Sequence, residues 1–329
     1  MAHPPCPLCG AVEHTVVAER AGGLRVPVTN VICQACGFLH RQEPWGAEEA
    51  AEFYRKASRE YDRIYGYDRL HGEYVQKVQA AQARRRVRWL AEWAPAGARV
   101  LDVGCGNGAF VAAAREAGYA AEGMELDEAA VAEAQGRGLP VRLASFEAYD
   151  AAPGSFAALG MFDVLEHAGD LHGFLARARE LLAPEGVLLV EVPEASTVHM
   201  PPVHFLQPEH NWHFTTRTLR HLLTSAGWRV EQEAIVPWPH NPADAAAVVA
   251  RKMPPEAVAV ERTGPEEHDR VLEAFARAQR ARLPLSAALR DALIRTLGLR
   301  LGVLIYRPVI AVYVGLKKLL GLYREPPVE

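Results

Sequence analysis

Residues 99–108, RVLDVGCGNG, place three glycines at alternate positions directly behind a short apolar run. No other stretch restricts the chain as much. An apolar run that stops at Gly104, Gly106 and Gly108 and passes into AFVAAAREAG reads as a buried strand, a tight turn and a helix. Glycines at such a turn let the backbone bend sharply and approach a ligand closely. The alternation then continues. YAAEGMEL is a second strand with DEAAVAEAQGRG as its helix, and LPVRLAS and SFAALGMFDV are two more strands. LHGFLARARELLAPEG is a helix with a Gly stop, GVLLVEVP a fifth strand, and TTRTLRHLLTSAGW a Thr-capped helix. WRVEQEAIV and DAAAVVARK complete the series. This order predicts one α/β domain over 98–253, a seven-stranded doubly wound, Rossmann-like sheet.

Glu125 lies 21 residues after Gly104, at the end of the second strand, where an acid grips ribose hydroxyls in nucleotide-type sites. Asp102 discriminates among ligands. A dinucleotide site gathers phosphate charge at the helix N-terminus, and a carboxylate beside it would repel that charge. An ammonium or sulfonium would be favoured there. The third glycine of the dinucleotide pattern is also out of register, since position 109 is Ala.

Ahead of this domain, Cys6-Pro-Leu-Cys9-Gly and Cys33-Gln-Ala-Cys36-Gly form two CxxC pairs with 23 residues between them. Four thiolates closing a tetrahedron are the structural form of zinc site, with no open position for catalysis. Such a site could supply on the order of 10 kcal/mol of folding free energy. Residues 1–43 are therefore expected to be a zinc-ribbon module with Zn2+ on Cys6, Cys9, Cys33 and Cys36. The fifth cysteine, Cys105, reads as a small turn residue near the cofactor. Residues 44–97 read as helical, a lid or linker carrying Tyr54, Tyr61, Tyr65, Tyr67 and Tyr74. Residues 254–329 read as a helical C-terminal extension.

LDVGCGNG, the acid in GMELD, MFDVLEH, LLAPEGVLLVEVP and HFTTRTLRHLLTSAGW resemble, in order, the successive motifs of class I S-adenosylmethionine (SAM)-dependent methyltransferases. The resemblance implies that Asp102, Gly104 and Gly106, with Cys105 between the glycines, hold the methionine part of SAM. It implies that Glu125 takes the ribose and Leu126 lies against the adenine. Ser145 and Phe146 would sit at the adenine edge, and Met161, Phe162 and Asp163 beside the transferred methyl. The family often has an acid where Ser145 stands.

Methyl transfer needs an aligned nucleophile and, for a hydroxyl or carbon acid, a base. Histidines supply such bases near neutral pH. They gather after the fifth strand as His199, His204, His210 and His213, interleaved with Phe205, Trp212 and Phe214 and with Glu209 adjacent. Glu166-His167 follows the fourth strand, on the edge where open α/β sheets bind ligands. Four cysteines at the N-terminus together with a Glu-His pair before HFTTRTL resemble bacterial sugar C-methyltransferases, which act on nucleotide-linked keto-sugars. In that resemblance Glu209-His210 is the catalytic pair and His210 the general base, while His167 is a further candidate base from its place on the ligand-binding edge. This chain has Gln207 where the group usually carries Tyr, and it lacks that group's C-terminal α/β domain.

A formal net charge of −4 argues against a protein that coats nucleic acid, although ARRRVR at 83–88 is a local basic patch suited to phosphate. Three readings follow: a methyltransferase for a small-molecule acceptor such as a sugar, a zinc-containing RNA methyltransferase, or a binding protein that kept the fold without activity. The N-terminus lacks the basic and apolar regions of a signal peptide and no apolar run reaches the ~20 residues of a membrane span, so a cytoplasmic protein is expected. Between Arg295 and Arg324 the chain has six basic residues and no acid. Arg300, Arg307 and Lys318 share a helical face, with Arg295, Lys317 and Arg324 towards one side. That pattern suits peripheral contact with an anionic membrane, and equally a helix packed on its own domain or on a second subunit.

Overall fold

The computed structural model describes residues 4–21, 26–46, 72–238, 242–254 and 259–280, with isolated positions 48, 49, 52 and 257. The helix expected around Tyr54, Tyr61, Tyr65 and Tyr67, the side chain of Tyr74, and the basic C-terminal segment with Arg295, Arg300, Arg307, Lys317, Lys318 and Arg324 lie outside the described residues.

The glycine-turn strand is β4 (Arg99–Val103), at the centre of the main sheet. The strands after it are β5 (Ala120–Glu125), β6 (Val141–Leu143), β7 (Phe156–Phe162), β8 (Leu182–Pro193), β10 (Trp228–Val236) and β11 (Ala245–Lys252). They form a seven-stranded sheet in the order β10-β11-β8-β7-β4-β5-β6. Pairing is parallel from β8 to β6, while β11 pairs antiparallel with both β8 and β10. The two antiparallel strands are joined directly to each other, which needs no crossover helix.

Helix α1 (Gly72–Ala91) precedes the sheet, and α2 (Ala109–Glu116) and α3 (Glu128–Gly136) follow β4 and β5. Asp127 caps α3 by accepting from the Ala129 and Ala130 amides, as its place before the helix predicts. Leu90 of α1 packs with Val100, Phe110 and Leu189 in one buried cluster on this face of the sheet. The opposite face is covered by α4 (Leu171–Leu181) and α6 (Thr216–Ser225), whose Leu175, Leu219 and Leu222 join Leu159 and Val190. Each such fully buried side chain contributes about 1.5–3 kcal/mol. Helix α4 ends at Leu181, five residues before the Gly stop at Gly186, and Ala183-Pro184 already lies in β8. The physical reason is Pro184, which lacks an amide and disfavours helical backbone at the residue before it. Helix α6 opens with the expected Thr cap, a reciprocal box between Thr215 and Thr218.

The N-terminal module is a second sheet. Strands β1 (His14–Ala21), β2 (Val26–Cys33) and β3 (Leu39–Arg41) run antiparallel. The fourth strand, β9 (Trp212–His213), comes from the histidine-rich loop of the main domain and pairs Leu39 with His213 and His40 with Trp212. The short helix α5 (Pro202–Phe205) lies in the same loop, and α7 (Pro265–Gln279) follows the main sheet, its Val271 and Phe275 packing with Ile32 and Phe205. Among the described residues, no helix is long and apolar enough to cross a membrane.

Candidate active site

Gly104, Gly106 and Gly108 all adopt left-handed backbone, with φ of 66°, 53° and 79°. A Cβ on Gly104 would stand 2.6 Å from Val164 Cγ2, while one on Gly106 would meet nothing within 4 Å. The turn is therefore closed on one side and open on the other. Glu125 faces it: its carboxylate accepts from the amides of Gly106 (2.9 Å), Leu126 (2.6 Å) and Asp127 (3.0 Å). A cavity of about 190 Å³ opens here, bounded by Gly104, Glu125, Leu126, Ser145 and Phe146 on one side and by Asp163, Val164 and His167 on the other.

Several predicted residues thus share one wall, and others stand behind it. Asp102 is buried at 3% exposure beneath the turn. Burial pushes its carboxyl up to about 8, with Glu125 and Asp163 adding to the rise and Arg86 opposing it. Cys105 does not line the cavity; its sulfur stands against Gly123, and burial lifts its thiol far above the ordinary value. Of the Met161–Asp163 trio only Asp163 reaches the cavity wall. Met161 is fully buried in the core, and Phe162 packs against Phe110. Among the described residues Asp163 is the one non-glycine with positive φ, 62°. That conformation is uncommon, and where it occurs at a cavity it marks a side chain aimed by its surroundings. Among the described residues its Oδ1 is buried without a hydrogen-bond partner, and burial pushes its carboxyl up to about 7 against the pull of Arg86.

In the basic stretch ARRRVR, Arg84 and Arg88 are exposed, but the two arginines between Arg84 and Val87 are not. Arg85 and Arg86 turn inward rather than forming a phosphate-facing patch: Arg85 Nη2 donates to Glu191 Oε2 at 2.6 Å, and Arg86 binds both Glu191 Oε1 and Asp163 Oδ2. The guanidinium of Arg86 also covers the Phe162 ring at 4.5 Å. Burial alone would lift the Glu191 carboxyl, but Arg86 and Arg85 outweigh it and hold it below its usual range. The sequence does carry a signal for this network. An acid inside the apolar strand VLLVEV is buried on both faces and needs a cationic partner. Glu147 and Phe174, which also line the cavity, carry no comparable signal.

On the other wall the histidines meet. His167 lies at the cavity, and its Nδ1 is 3.2 Å from the Glu209 carbonyl, so Nδ1–H donates and Nε2 keeps the lone pair. The His210 ring stands edge-on behind it at 4.6 Å, and His213 lies 5.7 Å further on. Burial holds all three neutral: His167 falls to about 4, His213 to about 3, and His210 lies well below the ordinary value. Glu209 enters this arrangement through its backbone carbonyl. His204 is buried on α5, and the backbone amide of His199 donates to the Pro242 carbonyl.

The loop that carries these histidines is clamped from the N-terminal module. Arg41 Nη1 donates to the Pro208 carbonyl at 2.8 Å, and the Trp45 amide donates to Asn211 Oδ1 at 2.7 Å. His213 Nε2 is 3.2 Å from Asn30 Oδ1. Phe38, between the second cysteine pair and β3, stacks at 6.0 Å on Trp212. The cysteines themselves come together as expected from their spacing. Cys6 and Cys36 sulfurs are 3.7 Å apart and those of Cys9 and Cys33 are 3.6 Å apart, with all four within 4.8 Å of one another. A Zn–S bond of about 2.3 Å implies an S···S separation of about 3.8 Å in a tetrahedron, so the donor set fits a thiolate-bound ion. The glycines behind both pairs, Gly10 and Gly37, take positive φ of 78° and 71° and return their amides to Cys6 and Cys33 carbonyls.

Residues 73–233 match the family model described as a methyltransferase domain. A ubiquinone biosynthesis O-methyltransferase from Thiobacillus denitrificans is 37% identical over 109 residues, 31% of this chain and 47% of that protein. A probable S-adenosylmethionine-dependent methyltransferase from Mycolicibacterium smegmatis is 30% identical over 138 residues, 41% of this chain and 54% of that protein. The matched region spans about half the length of these curated relatives. The crystal structure of Burkholderia thailandensis 1,6-didemethyltoxoflavin-N1-methyltransferase, solved with 1,6-didemethyltoxoflavin and S-adenosylhomocysteine, superposes with a TM-score of 0.50 at 19% identity. It covers 74% of this chain and 100% of that one, and shows the shared fold.

Residues 73–233 are thus similar to a methyltransferase domain. Asp102, Glu125 and Asp163 stand close together around the glycine turn. The cavity lining after β4, β5, β6 and β7 comes from within this region, whereas the histidine loop behind His167 is held in place by the N-terminal sheet.

Proposed function

We propose that the chain transfers the methyl group of SAM to a small-molecule acceptor, with a neutral histidine taking the acceptor's proton. The observation that carries this reading is a cavity that brings the carboxyl groups of Glu125 and Asp163 and the glycine turn to His167, with Asp102 buried beneath the turn. Asp102, with Gly104 and Gly106, would hold the methionine end, Glu125 the ribose, and Leu126, Ser145 and Phe146 the adenine. SAM supplies a methyl group already activated on a sulfonium. The remaining work falls to the residues of the chain. Asp163, fixed by Arg86, would favour positive charge at the cavity. His167 presents the Nε2 lone pair to the acceptor's hydroxyl or acidic carbon, its tautomer set by the Glu209 carbonyl. His210 packs behind it and keeps the imidazole oriented.

Acceptors of two kinds are in view: nucleotide-linked keto-sugars, from the resemblance of the cysteine and Glu-His motifs, and hydroxyl groups of ubiquinone precursors, from the curated relatives named as ubiquinone biosynthesis O-methyltransferases. Zn2+ in the four-cysteine cluster would be structural, with every position taken by sulfur. The test is titration calorimetry with SAM and S-adenosylhomocysteine on metal-replete protein, followed by a screen of both acceptor classes. Micromolar binding of SAM and turnover of one class are expected, and His167→Gln should lower kcat on the order of 100-fold with SAM affinity unchanged. Folded, metal-loaded protein that binds no SAM would overturn the reading.

A further inference from the structure

His167 sits in a single 3-10 turn, Leu165–His167, at the cavity wall. Turns of this kind are short and weakly bonded, and their last carbonyls have no partner inside the turn. One residue of the histidine loop supplies partners on both sides of His167. The backbone amide of Asn211 donates to the Glu166 carbonyl at 2.9 Å, and its side-chain Nδ2 donates to the Ala168 carbonyl at 3.1 Å. The same side chain grips the chain beyond β3. Asn211 Oδ1 accepts from the Trp45 amide at 2.7 Å, and Nδ2 donates to the Trp45 carbonyl at 2.9 Å. Asn211 is fully buried, and a buried amide is tolerated when its donors and acceptor are matched in this way. The Trp45 amide can only donate and the two carbonyls can only accept, so Oδ1 and Nδ2 cannot exchange places.

We propose that Asn211 is a positioning residue for the cavity base: by holding the backbone before and after His167 it keeps the imidazole at the cavity wall with Nδ1–H on the Glu209 carbonyl. Asn211 does not line the cavity, so it acts through His167. Ring and backbone are held by one short segment, the ring by the carbonyl of residue 209 and the flanking carbonyls by residue 211. Trp212 adds a second bond to the Ala168 carbonyl through its Nε1–H. An aspartate of the same size would offer no N–H to the carbonyls of Trp45 and Ala168, and an apolar residue would offer neither donor nor acceptor. The consequence for turnover rests on the methyl-transfer reading; the placement of the ring does not.

The test compares Asn211→Asp and Trp212→Phe with the wild type in the full, metal-replete chain. Asn211→Asp keeps the acceptor for the Trp45 amide and loses both donors, whereas Trp212→Phe keeps an aromatic ring and loses only the bond to Ala168. Nitrogen-15 NMR of histidine-labelled protein, with the His167 signal assigned by its loss in His167→Gln, reads the tautomer directly. The wild type should show His167 protonated at Nδ1 alone, and Asn211→Asp a mixture of both tautomers. Its kcat should fall about 30-fold, as for a misplaced base, with acceptor KM and SAM affinity within about twofold of wild type. Trp212→Phe should move both readouts the same way, with kcat down about threefold. A merely structural role would lower the melting temperature and leave tautomer and kcat as they are. Folded Asn211→Asp that keeps the single tautomer, or that changes tautomer at wild-type kcat, overturns the proposal. Should Asn211→Asp fold poorly, Trp212→Phe decides by the same criterion. Absence of SAM binding in the wild type would sink the methyl-transfer reading, and the NMR comparison would still judge the placement of the ring.

Discussion

The two walls of the cavity are supported in different ways. The cofactor wall comes from successive turns at the ends of β4, β5 and β6, so each of its groups is placed by its own strand and the next helix. The facing side is also local at its surface, where Asp163 and His167 follow β7, but the histidine loop packed behind it is assembled from afar. Residues 207–213 hold their course because Asn30, Arg41 and Trp45, more than 160 positions earlier, bind their backbone and side chains. A locally encoded wall survives damage elsewhere, whereas a wall backed by long-range pairing fails with its partner. The N-terminal module is then a support for the histidine loop rather than a separate appendage.

The sharpest way to separate the walls is to break the first alone. Gly104→Ala forces a Cβ to within 2.6 Å of Val164 at a φ of 66°. The left-handed backbone costs about 1–2 kcal/mol for a residue with a side chain, and the displaced Val164 intrudes into the cavity. SAM affinity should fall on the order of 100-fold by calorimetry, while hydrogen exchange of residues 207–213 stays as in the wild type. Loss of protection in that loop would mean that the walls are one unit.

Breaking the second wall alone is the converse experiment. Cys33→Ser removes a donor from the four-cysteine cluster and loosens β2, β3 and with them β9. We expect the bound metal to be lost, exchange at 207–213 to rise, and acceptor kcat/KM to fall about 30-fold, equivalent to roughly 2 kcal/mol. SAM affinity should stay within about threefold. A parallel collapse of SAM binding would refute the division.

The same contrast explains what the sequence makes legible. The seven strands, the Thr215 cap and the Asp102–Gly104–Glu125 set follow from local pattern, because strand period, turn glycines and capping are short-range physics. The cysteine cluster is legible for another reason: four identical soft ligands in two pairs have few other uses. Three features escape. β9 is two residues long, too short to show any periodicity. The Arg85–Arg86–Glu191–Asp163 network joins α1 to β7 and β8, and Arg runs read as solvent-facing until the partner acid is seen. The early stop of α4 depended on weighing Pro184 above the glycine after it.

A smaller effect sharpens the account of the cofactor wall. Burial sets the Asp102 carboxyl at about 8 in the free protein, above its unfolded value of about 3.9. The stabilisation of the free protein associated with this proton is therefore complete below about pH 4 and is lost as pH rises through 8. A cationic ligand prefers the ionised form, so binding releases the proton. SAM affinity should fall about tenfold between pH 7.5 and 6, with proton release seen as a dependence of the calorimetric enthalpy on buffer. Asp102→Asn should remove the pH dependence, raise the melting temperature of the free protein at pH 8, and weaken SAM binding throughout. A flat pH profile in the wild type would mean that Asp102 is ionised already.

The smallest expected effect probes the support itself. Arg41 reaches from β3 to the Pro208 carbonyl and covers the Trp45 ring at 4.4 Å. Its backbone amide also donates to the Asn211 carbonyl, at 2.8 Å, and no side-chain change removes that bond. Arg41→Ala therefore deletes one charged hydrogen bond and one cation–π contact at a half-buried position while the β3–β9 pairing persists. Such contacts contribute about 1 kcal/mol when partly exposed, so acceptor KM should rise about fivefold, with kcat and SAM affinity unchanged. Arg41→Lys should recover part of the loss, because the ammonium can still cover Trp45 but reaches the carbonyl less well. If kcat falls instead of KM rising, the loop's grip on His167 through the Glu209 carbonyl is what Arg41 secures, and the support acts on the base rather than on the acceptor's seat.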